Sequence, residues 1–386
     1  MKWAATLILI TVLTGATQAA DLSLDQIVKR HATMLERMSR CSVTTHERWL
    51  VTRADGSPEQ ILSTRKCEIR RDGVRANLLV DEVNYPPGTT VEQAGKPGVQ
   101  GNANEFNYVC GEQVLEVFYP HDKFDVRPPL PRGVMGRLTP QASDEFYVSN
   151  AMGHAGIAFG LTSFVSPLSV SRLVGLGKNT VTRDELGYCV QGVAPDGTRH
   201  RIWIDPDASF VIRRVVFEQS GETLSDNRFQ YNRRVLKSRF GFDEKTPVKS
   251  ATFEVRNVQV QPLNGIHVIT SLDSIKTIVA ENGTNAVEST VHTLTDWDLA
   301  PDFAADAFQP RLPVPEGAHV VIEDTPSLEY EYRNGKIQLT VREDTVASLE
   351  RVQLPSRPAP PRMQWAWALI AGGLGLAWWK LRSDAS

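Results

Sequence analysis

Six Asn-Gly or Asp-Gly dipeptides divide this chain, and they constrain its fold more than any other feature. They separate runs rich in Val, Ile, Thr, Phe and Tyr, and they begin at Asp55, Asp72, Asp196, Asn264, Asn282 and Asn334. Such dipeptides are preferred in tight β-hairpin loops, where the chain needs positive φ. The sequence therefore predicts a mainly β protein made of successive antiparallel hairpins. It shows no βαβ alternation, so a doubly wound nucleotide-binding fold is not expected.

Several predicted strands carry apolar side chains on both faces. Residues 198–204 alternate Ile202 and Ile204 with Trp203, and residues 210–217 behave similarly. A sheet that is apolar on both sides must be covered twice, so we expect an α+β fold with a curved antiparallel half-open β-barrel, whose concave face is covered by helices. In the predicted strand around residues 253–260, apolar residues occupy odd positions up to Val255 and even positions from Val258. This change predicts a β-bulge between them.

The mature chain is predicted to begin with one amphipathic helix. Ser23 and Gln26 form a capping-box pattern, and apolar residues follow at helical spacing. A second segment, Ala151–Val165, combines apolar side chains with three glycines, and it is interpreted as either a lid at a cavity mouth or a helix packed on the sheet. The candidate ligand-binding residues are Met152, Ile157, Phe159, Leu161, Phe164, Val165 and Trp203.

Both ends of the chain predict export and membrane attachment. Residues 1–20 have a basic start, an apolar stretch and small residues typical of a signal peptide. Met363–Trp379 is uncharged and long enough to span a bilayer, with a core helix as the alternative. Its proposed interfacial anchors are Trp365, Trp367, Trp378 and Trp379. The expected location is a bacterial inner membrane, crossed once, with the main domain in the periplasm.

The predicted domain order follows from these features. We expect a signal peptide (1–20), a β-barrel domain (21–310), a small closing β unit (311–345), a Pro-rich stalk (346–362), a transmembrane helix (363–381) and a cytoplasmic tail (382–386). The stalk contains Pro355, Pro358, Pro360 and Pro361, which favour an extended conformation.

Charge and cysteine content exclude some functions and leave others open. The chain has 42 basic and 45 acidic side chains, so it has no electrostatic signature of nucleic-acid binding. Its four cysteines are Cys41, Cys67, Cys110 and Cys189. In an oxidising compartment they permit two disulfides in three pairings, with buried free thiols as the alternative. Their spacing does not match a metal site.

Three segments together resemble a known family. They are the strand-turn Arg201-Ile-Trp-Ile-Asp-Pro-Asp207, the strand Phe210-Val-Ile-Arg-Arg-Val-Val216, and the late Phe308 with Pro315-Glu-Gly317. With the exported start and the hairpin-rich body, they resemble the LolA-like outer-membrane lipoprotein-sorting proteins of bacteria. The resemblance implies a half-open β-barrel that holds acyl chains or senses lipoproteins. The family's lipoprotein carrier is soluble, whereas this chain is predicted to be tethered.

Two hypotheses about function follow. The first is a non-catalytic, membrane-anchored module that binds lipid acyl chains or a lipoprotein. The second is a membrane-tethered periplasmic sensor or scaffold that binds an envelope protein partner. No zinc-protease histidine pair or Gly-x-Ser-x-Gly elbow occurs, and the eight histidines are scattered, so neither an enzyme, a metal site nor a cofactor is predicted.

Overall fold

The fold is described from a computed structural model of the chain. It describes residues 22–99, 101–110, 114–120, 136–139, 153–160, 169–175, 177–194, 197–220, 233–243, 247–311, 314, 316–317, 319–322, 330–334 and 336–339. The predicted signal peptide, stalk and Met363–Trp379 lie outside these residues. Within them, no helix is long and apolar enough to cross a membrane.

Three α-helices and one 3₁₀ helix lie in the described part. They are α1 (Leu24–Glu36), the 3₁₀ helix (Gly153–Phe159), α2 (Val170–Gly175) and α3 (Arg233–Phe240). The predicted capping box at α1 is confirmed: Gln26 N donates to Ser23 Oγ at 3.3 Å, and Ser23 N donates to Gln26 Oε1 at 2.9 Å. These bonds satisfy backbone donors that the first helical turn leaves unpaired.

Sixteen strands account for most of the described residues. In chain order they are β1 (Arg40–Thr52), β2 (Gln60–Asp72), β3 (Arg75–Asn84), β4 (Asn102–Cys110), β5 (Val114–Pro120), β6 (Gly136–Thr139), β7 (Asn179–Asp184), β8 (Gly187–Val193), β9 (Arg199–Asp205), β10 (Val211–Ser220), β11 (Val248–Leu263), β12 (Ile266–Ala280), β13 (Asn285–Asp298), β14 (His319–Ile322), β15 (Tyr330–Arg333) and β16 (Lys336–Leu339).

The described strands form one sheet in the order β16-β15-β14-β6-β5-β4-β3-β2-β1-β13-β12-β11-β10-β9-β8-β7. All neighbours pair antiparallel except β14 and β6, which are parallel. The two end strands do not pair with each other, so this sheet is open. The predicted fold is therefore confirmed as mainly β and antiparallel, and the described sheet is not closed into a barrel. Strands β14–β16, from the predicted closing unit, extend the same sheet.

The hairpin prediction is confirmed at all six dipeptides. The strands on either side of each dipeptide pair antiparallel, namely β1–β2, β2–β3, β8–β9, β11–β12, β12–β13 and β15–β16. Asn264 and Gly265 form a two-residue loop with φ of 50° and 76°. Positive φ at both positions matches the twist of the flanking strands, which is why Asn-Gly is favoured there.

The predicted β-bulge is also confirmed. The register between β11 and β12 shifts between Arg256 and Gln259, and Asn257 has a φ of 55°. The extra residue reverses which side chains face the core. Val255 and Val258 are therefore both buried although their spacing is odd.

The helices identify an inner and an outer face of the sheet. The inner face is the one on which α1 and the 3₁₀ helix pack, and on β1 it carries Cys41, Val43, Thr45 and Glu47 at alternate positions. Alternation by two places the side chains between them, Ser42, Thr44 and His46, on the outer face. His31 on α1 joins its helix to the sheet, since its Nδ1 donates to the Phe210 carbonyl at 2.8 Å.

Candidate functional site

The inner face holds a large apolar cluster, which we call the main cluster. It contains buried side chains from α1, the 3₁₀ helix, α2 and most strands between β1 and β12, including Ile27, Ile69, Leu78, Ile202 and Leu272. Two predicted ligand-binding residues, Ile157 and Phe159, belong to it and are 4% and 6% exposed. Phe159 packs beside Trp297, with ring centroids 5.7 Å apart. The described part of Ala151–Val165 therefore packs against the sheet.

Apolar side chains at the margin of the main cluster remain partly exposed. We call this set the apolar rim: Leu22, Leu24, Val28, Leu35, Phe106, Tyr108, Val174, Val181, Ala194, Phe210, Val260, Leu263, Trp297 and Leu299. Phe106 and Tyr108 stack on the inner side of β4 with ring centroids 6.4 Å apart. The rim residues are thus partly exposed apolar side chains in contact with the core.

Of the other predicted ligand-binding residues only Trp203 is described, and it is not brought together with Ile157 and Phe159. Met152, Leu161, Phe164 and Val165 lie outside the described residues. Trp203 lies on the outer face, where it packs with Cys189 and Val216. Its Nε1 donates to Asp184 Oδ2 at 2.8 Å, and the Arg214 guanidinium lies 4.9 Å from its ring centroid. Successive side chains of β9 point to opposite faces of the sheet, so Trp203 points away from the face that carries Ile202 and Ile204. It therefore cannot contact a ligand bound on that face.

The structure corrects the disulfide interpretation. Cys41, Cys67 and Cys189 are buried free thiols. The side chain of Cys110 lies outside the described residues, but its backbone is opposite Ala76 on β3, while Cys41 is opposite Arg71 on β2. Three strand spacings of about 4.8 Å separate Cys41 from Cys110, well beyond the Cα separation of a disulfide.

A belt of polar side chains crosses the inner face next to the main cluster. This polar belt consists of the partly exposed Arg65 on β2 and the buried Thr45, Glu47, Ser274, Glu288, Thr290 and His292 on β1, β12 and β13. On its far side lies a second apolar cluster formed by Val51, Leu236, Phe240, Phe242, Ile278, Ala280 and Ala286, which α3 covers. The inner face is therefore apolar at both ends and charged in the middle.

Glu47 is the centre of the polar belt. It lies 3.4 Å from His292 Nδ1 and 3.9 Å from Arg65 Nη1, and it accepts a hydrogen bond from Trp49 Nε1 at 3.2 Å. Burial alone would raise the pKa of Glu47, but His292, Arg65 and Trp49 together hold this pKa below its ordinary value. The carboxylate is thus ionised in the interior because it is surrounded by donors.

Three residues of the belt have the order of a catalytic triad. Ser274 Oγ lies 3.2 Å from His292 Nε2, and His292 Nδ1 faces Glu47. Ser274 is only 1% exposed and sits in the middle of β12, so its Oγ cannot meet a substrate in this arrangement. A hydrolytic site needs an accessible nucleophile beside oxyanion donors. We therefore interpret the three residues as a structural network.

The outer face carries a polar pocket of about 370 Å³. It forms where residues 301–311, which we call the strap, cross β2–β4. Asn77 Nδ2 donates to the carbonyls of Ala307 at 2.9 Å and Gln309 at 2.8 Å, and Arg311 N donates to Asn107 Oδ1 at 2.7 Å. Asn77 and Asn107 are buried, so these bonds hold the strap firmly.

The sequence interpretation missed both the polar belt and the pocket. Glu47 and His292 are far apart in the chain and meet only because β1 pairs with β13. Asn77 and the strap are likewise distant in sequence. A local signal did exist for the belt: Thr45 and Glu47 occupy inward positions of an otherwise apolar alternation in β1. Among the described residues, no group of three His, Cys, Asp or Glu side chains is arranged to hold a metal ion.

No family model and no curated protein matches this chain. Among solved structures, it is similar to a DUF1329 family protein from Desulfovibrio piger, with a TM-score of 0.37 and 10% identity over 75% of this chain and 98% of that one. A structure concerned with lipid–protein interactions in lipovitellin gives a TM-score of 0.22 and 11% identity, over 68% of this chain and 26% of that one. At these TM-scores neither similarity assigns a function to this chain.

Proposed function

We propose that this chain is a non-catalytic, membrane-anchored extracytoplasmic module that binds lipid acyl chains or a lipoprotein on the inner face of a LolA-like sheet. The observation that carries the proposal is the apolar rim, a set of partly exposed side chains packed against the main cluster. An acyl chain laid along this surface would remove water from both partners. The gain is about 0.8 kcal/mol for each methylene buried, so one chain supplies enough free energy for binding without catalytic groups.

The open sheet supports the same proposal. In the described residues the strand order ends at β7 on one side and β16 on the other, without pairing between them. Because no strand pairing seals the inner face, a ligand can approach the rim from the side. The helices α1 and α2 and the 3₁₀ helix cover the main cluster but leave Leu24, Val28 and Leu35 of α1 partly exposed.

The sequence features predicted at the two ends of the chain support an extracytoplasmic, membrane-anchored setting. A signal peptide at residues 1–20 and the Met363–Trp379 anchor would make the protein a single-pass protein of a bacterial inner membrane, with the sheet in the periplasm. The Pro-rich stalk would keep the sheet near the bilayer. A tethered module of this kind receives, holds or senses lipid rather than carrying it across the periplasm.

The proposal is tested with the full chain purified from membranes in detergent. We expect organic extraction to recover co-purified lipid, and a dansyl-labelled fatty acid to bind saturably once that lipid is removed. Val28→Asp charges the rim and should weaken probe binding about tenfold. Val291→Asp makes the same change at an exposed β13 position, 39% exposed, and should leave binding unchanged. Urea unfolding of both variants establishes that they are folded.

Absence of saturable probe binding by the delipidated full chain would contradict the proposal. Equal losses in Val28→Asp and Val291→Asp would do the same, because binding would then not depend on the rim.

A second candidate is a membrane-tethered sensor or scaffold that binds a protein partner. It is favoured by β7, which ends the sheet and pairs only with β8 in the described part of the chain. An open edge of this kind can accept a strand from another protein. Cross-linking in membranes distinguishes the candidates: a scaffold should retain its partner after apolar ligand is stripped, whereas a lipid-binding module should show no such partner.

A further inference from the structure

The outer-face pocket is separate from the inner face and has its own chemistry. Its floor is formed by β2–β4, and its wall is formed by the strap. The polar atoms of Asn77 and Asn107 are largely committed to the strap and to each other, since Asn107 Nδ2 donates to Asn77 Oδ1 at 2.5 Å and to the Leu78 carbonyl at 3.0 Å. These bonds set the shape of the pocket before any ligand arrives.

Two arginines reach the pocket from different elements. Arg70 comes from β2, is exposed, and makes no hydrogen bond or ion pair in the described part of the chain. Arg311 comes from the strap, and its side chain is 54% exposed with one long contact of 3.5 Å to Glu105. Their guanidinium groups therefore retain most of their donors for a ligand.

The acidic residues of the pocket leave the guanidinium N–H groups of Arg70 and Arg311 available to a ligand. Glu68 is paired with Lys66, with Oε1 and Nζ 2.7 Å apart. Lys66 lowers the pKa of Glu68 most strongly, and Arg70 and Arg311 contribute to the same shift, so both guanidinium groups lie in the field of this carboxylate. Asp306 also lines the pocket. It limits the net positive charge and provides an acceptor for a hydroxyl or ammonium group.

We propose that the outer-face pocket binds a phosphate group, which Arg70 and Arg311 hold from two sides. A tetrahedral phosphate can accept hydrogen bonds from guanidinium groups that approach from different directions, whereas one guanidinium fork is enough for a planar carboxylate. The pocket volume of about 370 Å³ exceeds that of phosphate alone, and Leu79 and Pro310 provide an apolar wall for an attached organic group. A lipid headgroup and a soluble phosphate compound share this chemistry.

Isothermal titration of the full chain in detergent, at low ionic strength, tests the proposal with two probes. Inorganic phosphate represents a soluble phosphate, and glycerophosphoglycerol represents a phosphodiester headgroup without acyl chains. We expect saturable binding of at least one probe. Tighter binding of glycerophosphoglycerol would assign the pocket to a headgroup, and tighter binding of inorganic phosphate would assign it to a soluble compound.

Arg70→Gln should weaken binding of the preferred probe about tenfold or more, because a charge-assisted hydrogen bond is lost. Arg256→Gln is the matched control. Arg256 is exposed on β11, far along the sheet from the pocket, and forms no hydrogen bond or ion pair among the described residues. Saturable binding of neither probe, or equal weakening in the two variants, would overturn the proposal. Either result leaves the inner-face proposal untouched, since its probe and its variants are different.

Discussion

His292 Nδ1 lies 3.4 Å from Glu47 Oε1, and both side chains are fully shielded from solvent. The two residues come from adjacent strands, β13 and β1, and lie opposite each other in the register. Arg65 on β2 approaches the same carboxylate from the other side. This buried charge between two apolar clusters makes the centre of the inner face sensitive to any change that leaves one partner alone.

Glu47→Gln should lower the free energy of unfolding by about 3 kcal/mol, because it removes the buried carboxylate that His292 Nδ1 and Arg65 face and leaves Arg65 with Glu82 as its one remaining counter-charge in the described part of the chain. Glu218→Gln is the control. It breaks the pair with Arg201 at 2.6 Å, in which both side chains are more than 40% exposed, and should cost less than about 1 kcal/mol. Urea unfolding at pH 7 measures both. Similar small losses in the two variants would show that the belt is not a stabilising network.

His31 should make stability fall as the medium becomes acidic. Burial lowers the pKa of His31 below its ordinary value of 6.5, while its hydrogen bond to the Phe210 carbonyl opposes this shift. The unfolded chain then takes up a proton more readily than the folded protein. Stability is full above about pH 6.5 and decreases as pH falls toward the folded pKa. Unfolding free energies measured between pH 7.5 and 5 should decrease more in the native protein than in His31→Gln; parallel curves would contradict this assignment.

Replacing Gly160 by alanine should destabilise the protein more than the same change at Gly283. Its φ is 78°, and a Cβ there would clash with Leu35 Cδ1 and lie 3.0 Å from His31 Nε2. Gly283 has a similar φ of 82° but open space around it. Alanine at either position costs about 1 kcal/mol for the left-handed backbone, and Gly160→Ala should lose about 1–3 kcal/mol more through overpacking. Equal urea midpoints for the two variants would mean that the contact between the 3₁₀ helix and α1 is loose.

Asn77 should hold the strap against the outer face. Asn77→Asp replaces the amide donor to Ala307 and Gln309 with an acceptor, so two carbonyls lose their partner. We expect hydrogen exchange in residues 301–311 to become about tenfold faster or more, which corresponds to a loss of about 1.4 kcal/mol or more in the opening free energy. Asn102→Asp, an exposed position of β4, is the control. Unchanged exchange in the strap would contradict the proposed role.

The buried thiols should react with alkylating reagents only after unfolding. Burial raises the pKa of Cys41 to about 11 and also raises the pKa of Cys67 above its ordinary range. The thiolate is the reactive form, so labelling at pH 8 should be at least about a hundredfold slower in the folded protein than in urea. Peptide mass spectrometry measures the extent of alkylation at each cysteine separately. A disulfide-linked peptide containing Cys41 or Cys67 would contradict the structure.

Features governed by local chemistry could be predicted from the sequence. Asn264-Gly265 adopts positive φ at low cost, so the hairpin follows from two residues. The same holds for the capping box at Ser23 and for the bulge near Asn257, which a switch in apolar phase indicated. The membrane anchor and the signal peptide stay predictions, because they lie outside the described residues.

Features that depend on distant segments could not be predicted. The local sequence around Cys110 and Cys189 does not show which other cysteine lies near either of them. Only the order of the strands in the sheet shows this. Apolar character alone predicts that Trp203 and Ile157 line the same site, but the register of β9 turns Trp203 to the outer face. Apolar character predicts burial without saying on which face a side chain is buried.

The sequence by itself determined the hairpins, the bulge and the first helix, because turn conformation and capping depend on residues within a few positions of one another. The tertiary structure decided that β1 pairs with β13, which joins Glu47 to His292, and that the strap crosses β3 and β4, which forms the outer-face pocket. Such pairings are selected by the summed burial and hydrogen bonding of the whole sheet. No single segment carries that information, so only the assembled sheet reveals it.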